Sequence, residues 1–153
     1  MKQDRWYFYT NITKRYNGGT RNVGVENSIG EYIVFMDCDD WFYSEKALEH
    51  LSNIIDRSHP DLIRLPYRYA VKKGEGNIIL HEKSLEELTH SVFVAPWTKC
   101  VKRELFVPFP ENTLIEDVSQ HIEQMDKIET IDYSKIPIIT WNRLNPNAIS
   151  ADN

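Results

Sequence analysis

The residues best suited to chemistry lie in two acidic clusters far apart in the chain. The first is Asp37, Asp39 and Asp40 in "FMDCDDWF", directly after the most apolar run, "GEYIVFM". Three carboxylates this close repel one another and gain nothing by burial, so the cluster requires a counter-charge. A hard divalent ion such as Mg²⁺ or Mn²⁺ supplies one, since it is typically held by one or two protein carboxylates plus substrate phosphates and water. The plainer reading is a solvated Asp-rich turn that caps the next helix. The second cluster is Glu116 and Asp117 in "LIEDV". Both fall in the first turn of a predicted helix, where negative charge stabilises the helix dipole by ~0.3–1 kcal/mol.

The elements around these acids read as alternating strands and helices. "RWYFY" from Arg5 to Tyr9 is mostly aromatic and predicts a strand, Thr20 to Ser28 a short helix, and Gly30 to Met36 a buried strand. A strand, helix, strand unit of this kind predicts a mainly parallel α/β sheet, with Asp37 to Asp40 at its carboxyl edge, where open α/β sheets place their ligands. After the acidic loop, Ser44 can cap a helix in which Ala47, Leu48, Leu51, Ile54 and Ile55 share one face. An antiparallel hairpin is predicted over residues 61–82, with Pro66 at an edge or bulge. Ser84 and Glu87 have capping-box spacing. The helix carrying the second acidic cluster runs from about Leu114 to Met125, with Ile115, Val118, Ile122 and Met125 on its apolar face. "TIDY" and "IPIITWN" close the chain as short strands.

Composition narrows the classes. At 153 residues, 41% apolar and 12% aromatic, with no repeat or linker, the chain reads as one globular domain over residues 1–153. A net charge of −5 argues against nucleic-acid binding, which rests on clustered Lys and Arg. Cys38 and Cys100 have no metal-ligand spacing and form no disulfide framework, which points to a reducing cytoplasm. No stretch approaches the ~18 apolar residues of a membrane span, so contact with a membrane is expected only through the acceptor.

Four separated motifs resemble one family. "GGTRN", "GEYIVFMDCDDWF", "PWTKCVKRELF" and "FPENTLIEDV" follow in order, and the closing "WNRLNPNAIS" is similar to the same family's tail. Together they resemble family 2 glycosyltransferases, with Asn112 where that family carries glycine and Cys38 where it carries serine. The resemblance implies a GT-A fold and inverting, hexosyltransferase-type transfer of a sugar from a nucleotide sugar, assisted by Mn²⁺ or Mg²⁺. It implies that Asp37 contacts the donor's ribose or diphosphate side, that Asp39 coordinates the metal with Asp37 beside it, and that Arg21 and Asn22 border the donor. Asp117, with Glu116, would be the general base on the acceptor hydroxyl, opposite the leaving diphosphate. Trp97 and Lys99 would border an acceptor that is a glycan, a lipid-linked sugar or a protein. Arg21 is equally readable as a solvated cation, and Trp97 as a loop anchor.

The family's usual opening strand, helix, strand unit, which builds much of the nucleoside pocket, has no counterpart ahead of this segment. The expectation is therefore an N-terminally truncated GT-A-like domain with an added hairpin and an incomplete donor site. A homodimer or partner chain would then cover the open sheet edge near Trp6 to Tyr9. The alternative is a catalytically inactive binding module of the same fold.

Overall fold

The computed structural model describes residues 7–13, 15–73, 77–84, 86–87 and 94–144. Among the described residues the α-helices and strands that frame the fold run in this order: α1 (Asn17–Glu26), β1 (Tyr32–Val34), β2 (Trp41–Phe42), α2 (Ala47–Ser58), β3 (Leu62–Arg64), β4 (Tyr67–Lys73), β5 (Asn77–Lys83), β6 (Lys99–Lys102), α3 (Glu116–Met125), β7 (Ile131–Tyr133) and β8 (Ile139–Asn142). Two four-stranded sheets result, ordered β1-β6-β3-β7 and β2-β8-β4-β5.

The α/β class expected from sequence is present, but the sheets are mixed instead of mainly parallel. Among the described residues only β3 with β7 and β4 with β8 pair in parallel, against four antiparallel ladders. The reason is β6, which inserts between β1 and β3 and runs antiparallel to both. The apolar run of β1 is also less enclosed than expected, with Ile33 alone fully buried.

The predicted aromatic strand is not formed at Tyr7 to Tyr9, while Arg5 and Trp6 lie outside the described residues. With no ladder to join, Tyr7, Phe8 and Tyr9 are 65%, 94% and 52% exposed. The hairpin is β4 with β5, in register from Tyr67 opposite Lys83 to Lys73 opposite Asn77. Its first predicted residues break away at Pro66, and β3 joins the other sheet, where the Leu65 amide donates to the Thr98 carbonyl at 2.9 Å.

The core gathers Ala47, Leu51 and Ile54 of α2 against Ile63, Leu65, Tyr67, Trp97, Cys100, Ile138 and Ile139. Leu48, assigned to the same stripe, is half exposed. The α2 start also differs: the Ser44 carbonyl, not its hydroxyl, accepts the Ala47 amide at 3.1 Å. The capping box forms as read, with Ser84 N to Glu87 Oε2 at 2.9 Å and Glu87 N to Ser84 Oγ at 3.3 Å. No helix among the described residues is long and apolar enough to cross a membrane.

The predicted apolar face of α3 points the wrong way. Ile115, just ahead of the helix, and Val118 and Ile122 are 69%, 44% and 60% exposed, while Glu116, Gln120 and Gln124 are buried. The polar stripe is inside because the segment before it offers unpaired backbone groups. Gln120 Nε2 donates to the Val107 carbonyl at 3.0 Å and Gln124 Nε2 to the Leu105 carbonyl at 3.0 Å. The Val107 amide in turn donates to Gln124 Oε1 at 2.9 Å. Leaving those groups buried without partners would cost about 1–3 kcal/mol each, comparable with the burial that the outward aliphatic side chains forgo.

Candidate active site

The acidic loop is a tight turn between β1 and β2, closed by the Asp40 amide on the Asp37 carbonyl at 3.1 Å. Asp40 Oδ1 accepts the Asn142 amide at 2.8 Å, which fastens the loop to β8. Its other oxygen, Oδ2, is buried with no hydrogen-bond partner among the described residues. Burial pushes the Asp40 carboxyl up to about 6, the charges of Asp37 and Asp39 add to the rise, and the Asn142 bond opposes it. Cys38, between the acids, carries an exposed free thiol.

Arg21 joins the two acidic clusters. Its Nη2 donates to Asp37 Oδ1 at 2.9 Å and its Nη1 to Glu116 Oε1 at 2.7 Å, with the guanidinium 5.5 Å from the Phe109 ring centre. The planar fork of arginine suits this two-sided role, which a lysine point charge could not fill. Arg21 sits here because α1 packs close to the segment leading into α3. A Cβ added at Gly18 would lie 2.7 Å from the Pro110 carbonyl oxygen and 3.0 Å from Phe109 Cβ, so only glycine permits this approach. Asn22 is spent on the same contact: it donates to the Phe109 carbonyl and accepts the Phe109 amide, both at 2.9 Å. Asn112 has φ 63°, the left-handed region where asparagine is the common substitute for glycine.

Glu116 is 5% exposed and engaged by Arg21, whereas Asp117 beside it is only partly buried. Asp117 Oδ1 accepts the Val118 amide at 2.9 Å, and no described residue donates to Oδ2. Lys99 is 5% exposed, and its Nζ donates to the Val94 carbonyl and approaches His121 Nδ1, each at 3.2 Å. Burial brings the Lys99 ammonium down to about 8; Arg64 and Arg21 lower it further, and Asp117 partly offsets this. His121 is brought down to about 4 by burial, then by the charges of Lys99 and Arg64. Its i+4 spacing from Asp117 was the available signal for a place at the site. Trp97 is 4% exposed, edge-on to Tyr67 at 4.9 Å and 5.7 Å from Trp141, as a loop anchor would be.

The all-oxygen set of Asp37, Asp39 and Asp40, with the unpartnered Asp40 Oδ2 among them, suits a hard divalent cation. Among the described residues no three His, Cys, Asp or Glu side chains are arranged to hold a metal ion. A cation at the loop would therefore complete its shell with ligand oxygens.

Comparison with known proteins bears on this constellation. The chain is 31% identical over 91 residues to an uncharacterized glycosyltransferase of Haemophilus influenzae, covering 58% of this chain and 35% of that protein. It is 40% identical over 45 residues to an uncharacterized glycosyltransferase of Rickettsia felis, covering 29% of this chain and 8% of that one. Crystal structures of S. aureus TarS 1-349, alone and in complex with UDP-GlcNAc, superpose at TM-scores of 0.65 and 0.60 with 20% identity. Both cover 82% of this chain, and respectively 40% and 38% of TarS 1-349, which makes the fold GT-A. The chain thus spans about a third of the Haemophilus relative and under a tenth of the Rickettsia one. Since the Glycosyl transferase family 2 profile matches residues 2–124, which hold both acidic clusters and the arginine between them, the chain belongs to glycosyl transferase family 2.

Proposed function

We propose that this chain transfers a sugar from a nucleotide-sugar donor to an acceptor hydroxyl with inversion at the sugar carbon. The observation that carries the reading is the bridge Asp37–Arg21–Glu116, which ties the acidic loop to the residue next to Asp117 in the chain. Asp117 acts as the base. As the bond from the acceptor oxygen to the sugar carbon forms and the bond to the diphosphate breaks, the hydroxyl proton passes to Asp117 Oδ2, whose lone pairs accept no hydrogen bond from any described residue. Glu116 is committed to Arg21 and serves as a positioning group, not as a second base. Asp39 and Asp37, with Asp40 behind them, would hold Mn²⁺ or Mg²⁺, which when bound neutralises charge on the leaving diphosphate. Arg21 lines the donor side and Asn22 shapes it through Phe109. Lys99 lies on the acceptor side of Asp117, and Trp97 supports that wall from within the core. Exposed Tyr7, Phe8 and Tyr9 support a second copy or partner chain against that segment.

Calorimetric titration with a panel of nucleoside diphosphates, UDP first, tests the donor and metal roles. Mn²⁺ should tighten binding at least tenfold in the unmodified protein and have no effect in Asp39→Asn. Asp117→Asn should lower turnover of the matching nucleotide sugar about a hundredfold or more while donor binding stays within twofold, as expected for loss of a base. Binding that ignores Mn²⁺ refutes the metal role, and binding without turnover makes the chain a binding module.

A further inference from the structure

The Lys99–His121 contact is partly buried, made by two polar side chains, and takes no part in the steps above. A lysine ammonium can only donate hydrogen bonds, so the histidine nitrogen facing it at 3.2 Å has to accept. That nitrogen is Nδ1, which leaves the ring proton on Nε2. A second Lys99 bond, to the Val94 carbonyl at 3.2 Å, holds the ammonium from another direction. The charged groups acting on the pair are Arg64 of β3, Arg21 of α1 and Asp117 of α3; of these only Asp117 is negative. Burial and the arginine charges lower both groups, so near neutral pH the ring is uncharged while Lys99, brought down only to about 8, keeps its proton.

We propose that Lys99 is a positioning residue that locks His121 in the neutral, Nε2-protonated tautomer, and that this N–H binds an acceptor oxygen next to the hydroxyl deprotonated by Asp117. The second half rests on the transferase reading. His121 follows Asp117 by four residues on one helix, which sets their Cβ atoms about 5–6 Å apart on the same face. A sugar whose hydroxyl meets Asp117 therefore places its neighbouring oxygens within reach of His121. A single fixed N–H tells apart sugars that differ in the direction of that oxygen, because an unpaired buried donor rejects the wrong one. Neutrality matters too, since a protonated ring one turn away would make Asp117 a weaker base.

Long-range ¹H–¹⁵N spectra of the unmodified protein test the lock without any substrate. His121 should give one unprotonated Nδ1 and one protonated Nε2, unchanged from pH 5.5 to 7.5. A protonated Nδ1, or a doubly protonated ring above pH 6, overturns the lock. Lys99→Met should release the ring to a mixture of tautomers, and a spectrum unchanged by that substitution also overturns it. The acceptor role is read from kinetics with UDP-GlcNAc and a panel of free mono- and disaccharides. His121→Ala should raise the acceptor KM about tenfold, His121→Gln should recover most of it by restoring a donor near Nε2, and the UDP dissociation constant should move less than twofold. Equal losses for Ala and Gln, or a matching loss of UDP affinity, overturn the acceptor role. An unmodified protein that turns over no nucleotide sugar refutes the transferase reading and the acceptor role with it, and the spectra still decide the lock.

Discussion

Removing Arg21 should strip out most of the stability that joins α1, the acidic loop and α3. The two arms of the bridge are unequal. Glu116 exposes 7% of its side chain and Arg21 14%, so Arg21→Met would leave a buried carboxylate without its partner, a loss of about 3–5 kcal/mol for pairs of this kind. Asp37 exposes 42% of its side chain, and solvent screening limits that arm to under about 1 kcal/mol. The guanidinium over Phe109 adds about 0.5–1 kcal/mol more. Glu116→Gln keeps the volume and an acceptor oxygen, so its cost is about 1 kcal/mol, the difference between charged and neutral hydrogen bonds. Combining Arg21→Met with Glu116→Gln removes both charges together, and the double variant should be more stable than Arg21→Met alone. The resulting coupling is about 2–3 kcal/mol, a large share of the ~5–15 kcal/mol that holds a domain folded. Guanidinium unfolding followed by far-UV circular dichroism at pH 7 gives all four corners of the cycle. A coupling under about 0.5 kcal/mol would refute the reasoning. So would an Asp37→Asn variant as unstable as Arg21→Met.

Three further expectations follow from single positions. Asn112→Gly should be neutral or slightly stabilising, whereas Asn112→Val, β-branched at φ 63°, should cost about 1–3 kcal/mol by thermal unfolding. Lys99, brought down to about 8 from 10.5, binds fewer protons folded than unfolded between those values, so its penalty of about 3 kcal/mol is fully present below pH 8 and is relieved as pH rises to 10.5; the stability gap between wild type and Lys99→Met should shift by that amount in favour of wild type across the window, and a flat difference refutes it. Gly18→Ala should weaken folding and Mn²⁺-dependent nucleotide binding together, because the added methyl meets the Pro110 carbonyl at 2.7 Å and pushes Arg21 off Glu116; unchanged binding would mean that α1 yields without cost.

Local chemistry was legible in the sequence, and long-range partnership was not. The capping box at Ser84 and Glu87 and the α2 stripe of Ala47, Leu51 and Ile54 each depend on residues a few places apart. Spacing alone says nothing of Arg21 reaching Glu116, 95 residues away, or of β6 entering between β1 and β3. The α3 sequence contains two stripes at helical period, Val118 with Ile122 and Glu116 with Gln120 and Gln124. Hydrophobicity ranks the first as the inner face. The second wins because Leu105 and Val107, in an irregular proline-bearing stretch, need partners that only side-chain amides supply.

The glutamine seam under α3 also changes what kind of joint that helix makes. Contacts between aliphatic chains are non-directional and tolerate a helix that rolls or slides slightly, but hydrogen bonds weaken steeply once donor and acceptor fall out of line. Gln120 and Gln124 thus index α3 like a keyed shaft, fixing both its rotation and its advance against residues 105–107. The direction in which Asp117 points is set by that key and not by the outer surface. The outward aliphatic stripe can then accept substitution, or new neighbours, without turning the carboxylate away from its hydroxyl.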